Sequence, residues 1–305
     1  MAFVQASVNY ATQYAKELAN AYPYLSHFGA IYNAENARKY RPVMGKSVAI
    51  PSLTVSGAVA ADRDQITGTF NRNWNNAWQT VTMSMDREWS TLIDPLDMVE
   101  TNEVATIANV TRTFNEQQKV PEMDAYLAAK LGSAAITASR ADTTSLTSAN
   151  ILATWDGYLA AMTDARVNRD RLIAYMTPAT YKLLKEAAGI TRFIDAGTGI
   201  RNVDRNVGKL DGVTIYEVPS DLMKTAYTFT EGWVAADGAG QINLLLVDPD
   251  AIVAPIVYDT AMISAPNAQS KGKYLYYERY YYDVFVLSNR TSGLYVNNTA
   301  GNSGN

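Results

Sequence analysis

The sequence predicts an α+β fold, with long helices and long strands drawn from separate stretches of chain. Three observations lead to it. Apolar residues recur at helical spacing near the start of the chain and again through its first half. The last third is dominated by strand-forming residues, with a tyrosine-rich run at its centre. Between two β-prone segments lies a polar stretch too long for a tight turn.

Composition sets the outer limits. The chain has 305 residues, 48% hydrophobic and 18% charged, the make-up of an ordinary globular protein. That is enough for one large domain or two interleaved ones. There is no cysteine, which rules out disulfides and thiolate metal sites and fits a reducing compartment. The opening Met1-Ala2-Phe3-Val4-Gln5 has neither the basic start nor the apolar centre of a secretory signal. No apolar run reaches the ~18 residues needed to span a bilayer. The expectation is a soluble protein made in the cytoplasm, with no membrane partner. Net charge is −4 and the basic residues are dispersed. This argues against an enzyme that grips nucleic acid through its phosphates.

Val4, Val8, Ala11, Ala15, Leu18 and Tyr22 form one helical stripe, which Pro23 ends. Residues 24–42 show no period and read as an extended arm. Residues 47–56 and 78–87 are β-prone, with Val81, Met83 and Met85 alternating to one side. The stretch between them carries Gly57, Gly68, Asn71, Asn73, Asn75 and Asn76 and reads as a protruding loop. After Asp94-Pro95 a helix is predicted through Leu96, Val99, Val104, Ile107, Thr111 and Phe114. Pro121 breaks it, and the pattern resumes at Met123, Tyr126, Leu127 and Leu131. The Ser/Thr/Ala-rich residues 138–148 mark an internal boundary. A helix follows on Ile151, Trp155, Leu159 and Met162.

Residues 171–176 read as a buried strand leading into Thr177-Pro178, a cap and first-turn proline, with a helix over 179–188. Asp211-Gly212 signals a hairpin. Residues 242–247 and 252–258 read as strands around the turn Asp248-Pro249-Asp250. Residues 273–287 read as one strand about 50 Å long, with tyrosines on both faces. Residues 299–305 are expected to fray.

Residues that could carry chemistry are few. His27 is the only histidine, so catalytic triads would have to use it and multi-histidine metal sites cannot form. Asp62-Arg63-Asp64 and Asp248-Pro249-Asp250 pair carboxylates, but both read as turns, which aspartate initiates. Gly197-Thr198-Gly199 and Gly238-Ala239-Gly240 lack the third glycine of a dinucleotide site. The tyrosine run, interleaved with Glu278, Arg279 and Asp283, could stack nucleobases or could serve as core and subunit contact. The negative net charge favours the second reading.

Three segments carry a family resemblance. They are Trp89-Ser90-Thr91-Leu92-Ile93-Asp94-Pro95-Leu96-Asp97, Arg171-Leu172-Ile173-Ala174-Tyr175-Met176-Thr177-Pro178, and Val207-Gly208-Lys209-Leu210-Asp211-Gly212-Val213 with the following Val218-Pro219-Ser220-Asp221-Leu222-Met223. In this order they resemble the Hong Kong 97-like major capsid proteins of tailed bacteriophages. They look like the passage from extended loop to spine helix, the strand-to-helix junction of the axial domain, and the glycine-rich hairpin and the loop after it.

The resemblance implies an N-terminal helix and arm (1–45), an extended β-loop with its lead-in (46–95) and a peripheral domain with a spine helix (96–147). It further implies an axial domain (148–240), long strands completing both domains (241–298) and a flexible tail (299–305). It implies self-assembly into pentamers and hexamers that close an icosahedral shell around double-stranded DNA, without catalysis or cofactor. The arm begins soon after Met1, so a separate scaffolding protein is expected, besides a portal and cement or decoration proteins. Arg63, Asp64, Arg72, Trp74, Trp78, Tyr277, Arg279 and Tyr281 are the expected subunit-contact residues. Some relatives cross-link a loop lysine to a neighbour's asparagine. Here no lysine lies between Lys46 and Lys119, so shells without covalent links are expected. An encapsulin-like compartment shell shares the implied fold. An α/β hydrolase-like enzyme lacks its catalytic constellation here, and a β-rich adhesion module lacks its signal sequence.

Overall fold

The computed structural model describes residues 26–35, 40–43, 46–58, 73–100, 106–187, 194–195, 202–203 and 207–299. The predicted helix over 4–22, the centre of the polar loop (59–72) and the tail beyond 299 lie outside these.

Strands β1 (Ser47–Val55) and β2 (Trp74–Thr82) form a long antiparallel hairpin, paired from Ser47↔Thr82 to Val55↔Trp74. The strand expected over 78–87 is therefore two strands. The chain leaves β2 at Met83-Ser84 and enters β3 (Met85–Ile93). Ser84 is held at that corner by Asp283, which accepts from its backbone N–H at 2.8 Å and its hydroxyl at 3.0 Å. Asn75 and Asn76, read from sequence as loop, lie in β2, where ladder pairing with Thr54 and Leu53 overrides their weak strand preference.

A second correction concerns the helices. Pro95–Glu100 is a short helix, α1, and a new one starts at an N-cap, Thr106, whose side chain accepts from Asn109 N–H. Ile107–Phe114 (α2) then runs through a π turn, Asn115–Lys119, into Val120–Thr137 (α3) without the expected break. Proline lacks an N–H, and its ring clashes with the carbonyl four residues back. The wider π turn just before Pro121, with Val120 N–H bonded to Asn115 C=O, opens the ladder where that carbonyl would sit.

Strand β8 (Ile242–Val247) is central in a six-stranded sheet ordered β4-β11-β8-β5-β7-β6. The others are β4 (Ala141–Asp142), β5 (Ile173–Met176), β6 (Lys209–Leu210), β7 (Val213–Glu217) and β11 (Leu294–Asn298). The stretch read as an internal boundary thus contributes a sheet-edge strand, Ala141–Asp142, parallel to β11. Helix α3 covers one face, burying Leu127, Leu131 and Ala135 with Leu245, Val247 and Val296. Helices α4 (Ile151–Asp164) and α5 (Pro178–Glu186) cover the other, with Trp155, Leu159 and Leu184 on Met176, Leu244 and Leu246. Burial on both faces explains why Ile242–Val247 is almost uninterruptedly apolar.

Helix α5 ends two residues short of its expected end, capped at Thr177, whose hydroxyl accepts from Thr180 N–H. The β6–β7 turn holds Asp211 at φ 51° and Gly212 at φ 87°, the positive pair that a tight twisted hairpin requires.

Strands β9 (Ile256–Ser264), β10 (Tyr274–Tyr282) and β3 form a three-stranded sheet, β9-β10-β3. The strand expected over 252–258 is split, with Ile252–Val253 pairing elsewhere and Ala254-Pro255 intervening. The tyrosine strand likewise stops at Tyr282, not 287. Asp283 ends it: its carboxylate, 1% exposed, accepts from Ser84, from Tyr126 Oη at 2.6 Å and from Val284 N–H at 2.7 Å, and this turns the chain.

Candidate assembly surfaces

The hairpin has two unlike faces. Its register puts Pro51, Leu53 and Val55 of β1 beside Trp78, Asn76 and Trp74 of β2 on one side. Ser52, Thr54, Asn75, Ala77 and Gln79 occupy the other. On the first side Leu53 is 63%, Val55 73%, Trp74 50% and Trp78 52% exposed. A two-stranded ribbon is marginal alone in water, and an exposed apolar stripe of this kind marks a contact surface. At its base Arg41 and Pro42 pair with β1, and a cavity of about 510 Å³ opens against Val43, Ala49 and Trp78.

The three-stranded sheet also divides by alternation. Its outer side carries Tyr277 across from Ser90 and Met262, Arg279 across from Glu88, and Tyr281 across from Asp86. Arg279 grips Asp86 with Nε at 3.1 Å and Nη2 at 3.0 Å, and Lys46 Nζ reaches the same carboxylate at 2.6 Å. Both cations lie 5.1 Å from the centre of the Tyr281 ring. The Arg279 hydrogen bond first, and then Lys46, hold the Asp86 carboxyl down to about 2.

A folded value below the unfolded one means stability that is present above the ordinary carboxylate range and lost as pH falls through about 2. Carboxyl NMR should therefore place the Asp86 midpoint near 2 in the parent. In Arg279→Gln it should move up toward the ordinary range. A midpoint that does not move would remove Arg279 as the cause.

The inner side packs on the long helix and buries Tyr276, Tyr280 and Tyr282. Here the tyrosines are core. Phe114 stacks on Trp89, centroids 4.0 Å apart and planes 8° off parallel. Glu278, 3% exposed, pairs with Lys119 and accepts from Tyr276 Oη at 2.9 Å. Glu122, also 3% exposed, takes a two-pronged bond from Arg87, Nε at 2.8 Å and Nη2 at 2.7 Å, and one from Tyr282 Oη at 3.1 Å. Burial pushes the Glu122 carboxyl up, against the downward pull of Arg87. The same guanidinium donates to Phe229 C=O at 2.6 Å and Gly232 C=O at 3.3 Å.

Of the residues predicted from sequence, Arg63, Asp64 and Arg72 lie outside the described residues. Trp74 and Trp78 share the apolar side of the hairpin, and Tyr277, Arg279 and Tyr281 share the outer side of the other sheet. Pro51, Leu53 and Val55 join the tryptophans on that side, a neighbourhood that only the strand pairing creates. Asp248-Pro249-Asp250 is a capped turn, with Asp248 accepting from Asp250 N–H at 3.1 Å and Asp250 paired to Arg171. His27 donates its backbone N–H to Asp124 at 2.8 Å. Among the described residues no cluster of His, Asp and Glu could hold a metal ion, and no helix is long and apolar enough to cross a membrane.

No family model matches the sequence, and no curated protein is similar to it. Solved structures are similar over nearly the whole chain. The capsid structure of the cyanophage P-SCSP1u aligns with TM-score 0.67 at 14% identity, covering 95% of this chain and 93% of that one. The mature capsid of bacteriophage PhiM1 aligns with TM-score 0.65 at 13% identity, over 95% and 92%. A chain of Mycobacterium phage Che8 aligns with TM-score 0.62 at 16% identity, over 96% and 98%. The expected α+β, Hong Kong 97-like fold is the fold of this chain.

Proposed function

We propose that this chain is the major capsid protein of a tailed bacteriophage, assembling with its own copies, as pentamers and hexamers, into an icosahedral shell around double-stranded DNA. The observation that carries the proposal is the β1–β2 hairpin, which turns a stripe of Trp74, Trp78, Leu53 and Val55 to solvent on a capsid fold. Such a stripe is a cost to an isolated subunit and an asset to one that is always covered by a neighbour.

In this reading the hairpin is the extended loop, and the long helix with the three-stranded sheet is the peripheral domain. The six-stranded sheet with α4 and α5 is the axial domain. The role is structural, not catalytic, and the location is the virion, after assembly in the host cytoplasm. A scaffolding protein, a portal and decoration proteins are the further partners this reading proposes. Co-expression with the scaffolding protein followed by microscopy of the particles tests the proposal: closed shells support it, and unassembled subunits count against it.

Shells of this protein should hold together without covalent links. Lys46 is the nearest lysine to the loop in sequence, and it stands at the hairpin base, paired to Asp86. The arginines of the loop stay protonated and non-nucleophilic. Mature particles boiled in detergent should give a single band near 33.4 kDa, and a ladder of multimers would contradict this.

A further inference from the structure

Toward the three-stranded sheet and the turn that ends its tyrosine strand, the long helix sends Phe114, Lys119, Glu122 and Tyr126, meeting Trp89, Glu278, Arg87 and Asp283 respectively. Their spacing is five, three and four residues. An unbroken α-helix advances about 140° too far in five residues, at 3.6 residues per turn. The π turn at Asn115–Lys119, by inserting one residue, takes up about 100° of that overshoot and returns Phe114 and Lys119 to one side.

A helix kept in α geometry from Phe114 onward would instead present Gln118, Pro121 and Ala125. Glu278 and Arg87 would then face no opposite charge. The two pairs are also poled in opposite directions. The helix supplies the cation to Glu278 and the anion to Arg87, so a helix slipped by one residue matches neither.

We propose that the Lys119–Glu278 and Arg87–Glu122 pairs determine the rotational phase of the long helix on the sheet. Through β3, which continues directly from the hairpin, they fix the angle at which the hairpin meets the next copy. This rests on the shell-building reading above. The pairs act through position and not through net stability, because the desolvation of a buried ion pair roughly cancels its attraction, whereas a mismatched one is strongly penalised. The tyrosine surface by itself is tolerant of phase, since Tyr276, Tyr280 and Tyr282 offer similar apolar bodies along its length.

The test compares a variant neutral at both pairs, Lys119→Met/Glu278→Gln/Arg87→Met/Glu122→Gln, with Lys119→Arg and the parent. Each is assessed by thermal melting, near-ultraviolet circular dichroism (with Trp89→Phe as the reference for the Trp89–Phe114 signal) and microscopy of assembled particles. The variant neutral at both pairs should melt within a few degrees of the parent. It should lose the Trp89–Phe114 signal and give particles of mixed size and shape, while Lys119→Arg should keep the signal and one particle form. The proposal is overturned if the neutral variant keeps the signal and assembles uniformly. It is equally overturned if the neutral variant fails to fold while Lys119→Arg folds, since the pairs would then act through stability. A parent that never assembles would sink the shell reading alone, because melting and dichroism still decide the phase of the helix.

Discussion

Replacing Arg87 with methionine is expected to destabilise the subunit by about 3–5 kcal/mol, the cost of leaving a buried charge without its partner. The carboxylate of Glu122 is 3% exposed, and its two-pronged bond to Arg87 is its only contact with a cation among the described residues. Phe229 C=O and Gly232 C=O lose a donor in the same step. For a chain of this size the loss amounts to a melting temperature lower by roughly 10 °C. Denaturant titration with a second probe measures it. The double variant Arg87→Met/Glu122→Gln should recover much of the loss, since no charge is then stranded. A single variant within about 1 kcal/mol of the parent would show that water reaches the site.

The second large effect falls on assembly. Changing both Trp74 and Trp78 to serine should leave the melting transition of the subunit nearly unmoved, because the two rings are 50% and 52% exposed and support little within their own chain. Buried interface tryptophans are each worth about 2 kcal/mol or more. A closed shell repeats that loss at every copy, so shells should be abolished and free subunits should accumulate. Size-exclusion chromatography and microscopy read the outcome. A collapsed melting transition would place the ribbon in the core of its own subunit instead.

Much of this architecture is legible in the residues. The apolar run Ile242–Val247, the Thr177-Pro178 helix start and the Asp211-Gly212 hairpin stand where local pattern puts them, because burial, capping and turn chemistry act over a few residues. Long-range partners decide the rest. Nothing near Tyr282 announces that its strand ends there. The reason is Asp283 bonding Tyr126 and Ser84, 157 and 199 residues away in sequence. The apparent break at Pro121 is a change of helical phase, which a fixed period reads as an interruption. The apolar side of the hairpin stayed hidden for a related reason. Leu53 and Trp78 look like unrelated residues until the pairing of Val55 with Trp74 sets them on one face.

In the proposed function this chain is covered by copies of itself. Electron microscopy of the purified protein with size-exclusion chromatography, over a wide range of concentration and with and without a candidate scaffolding partner, decides whether it is. Capsomers, closed shells, tubes or spirals that become more abundant as concentration rises are the expected result. A single monomeric species under every one of those conditions would contradict it.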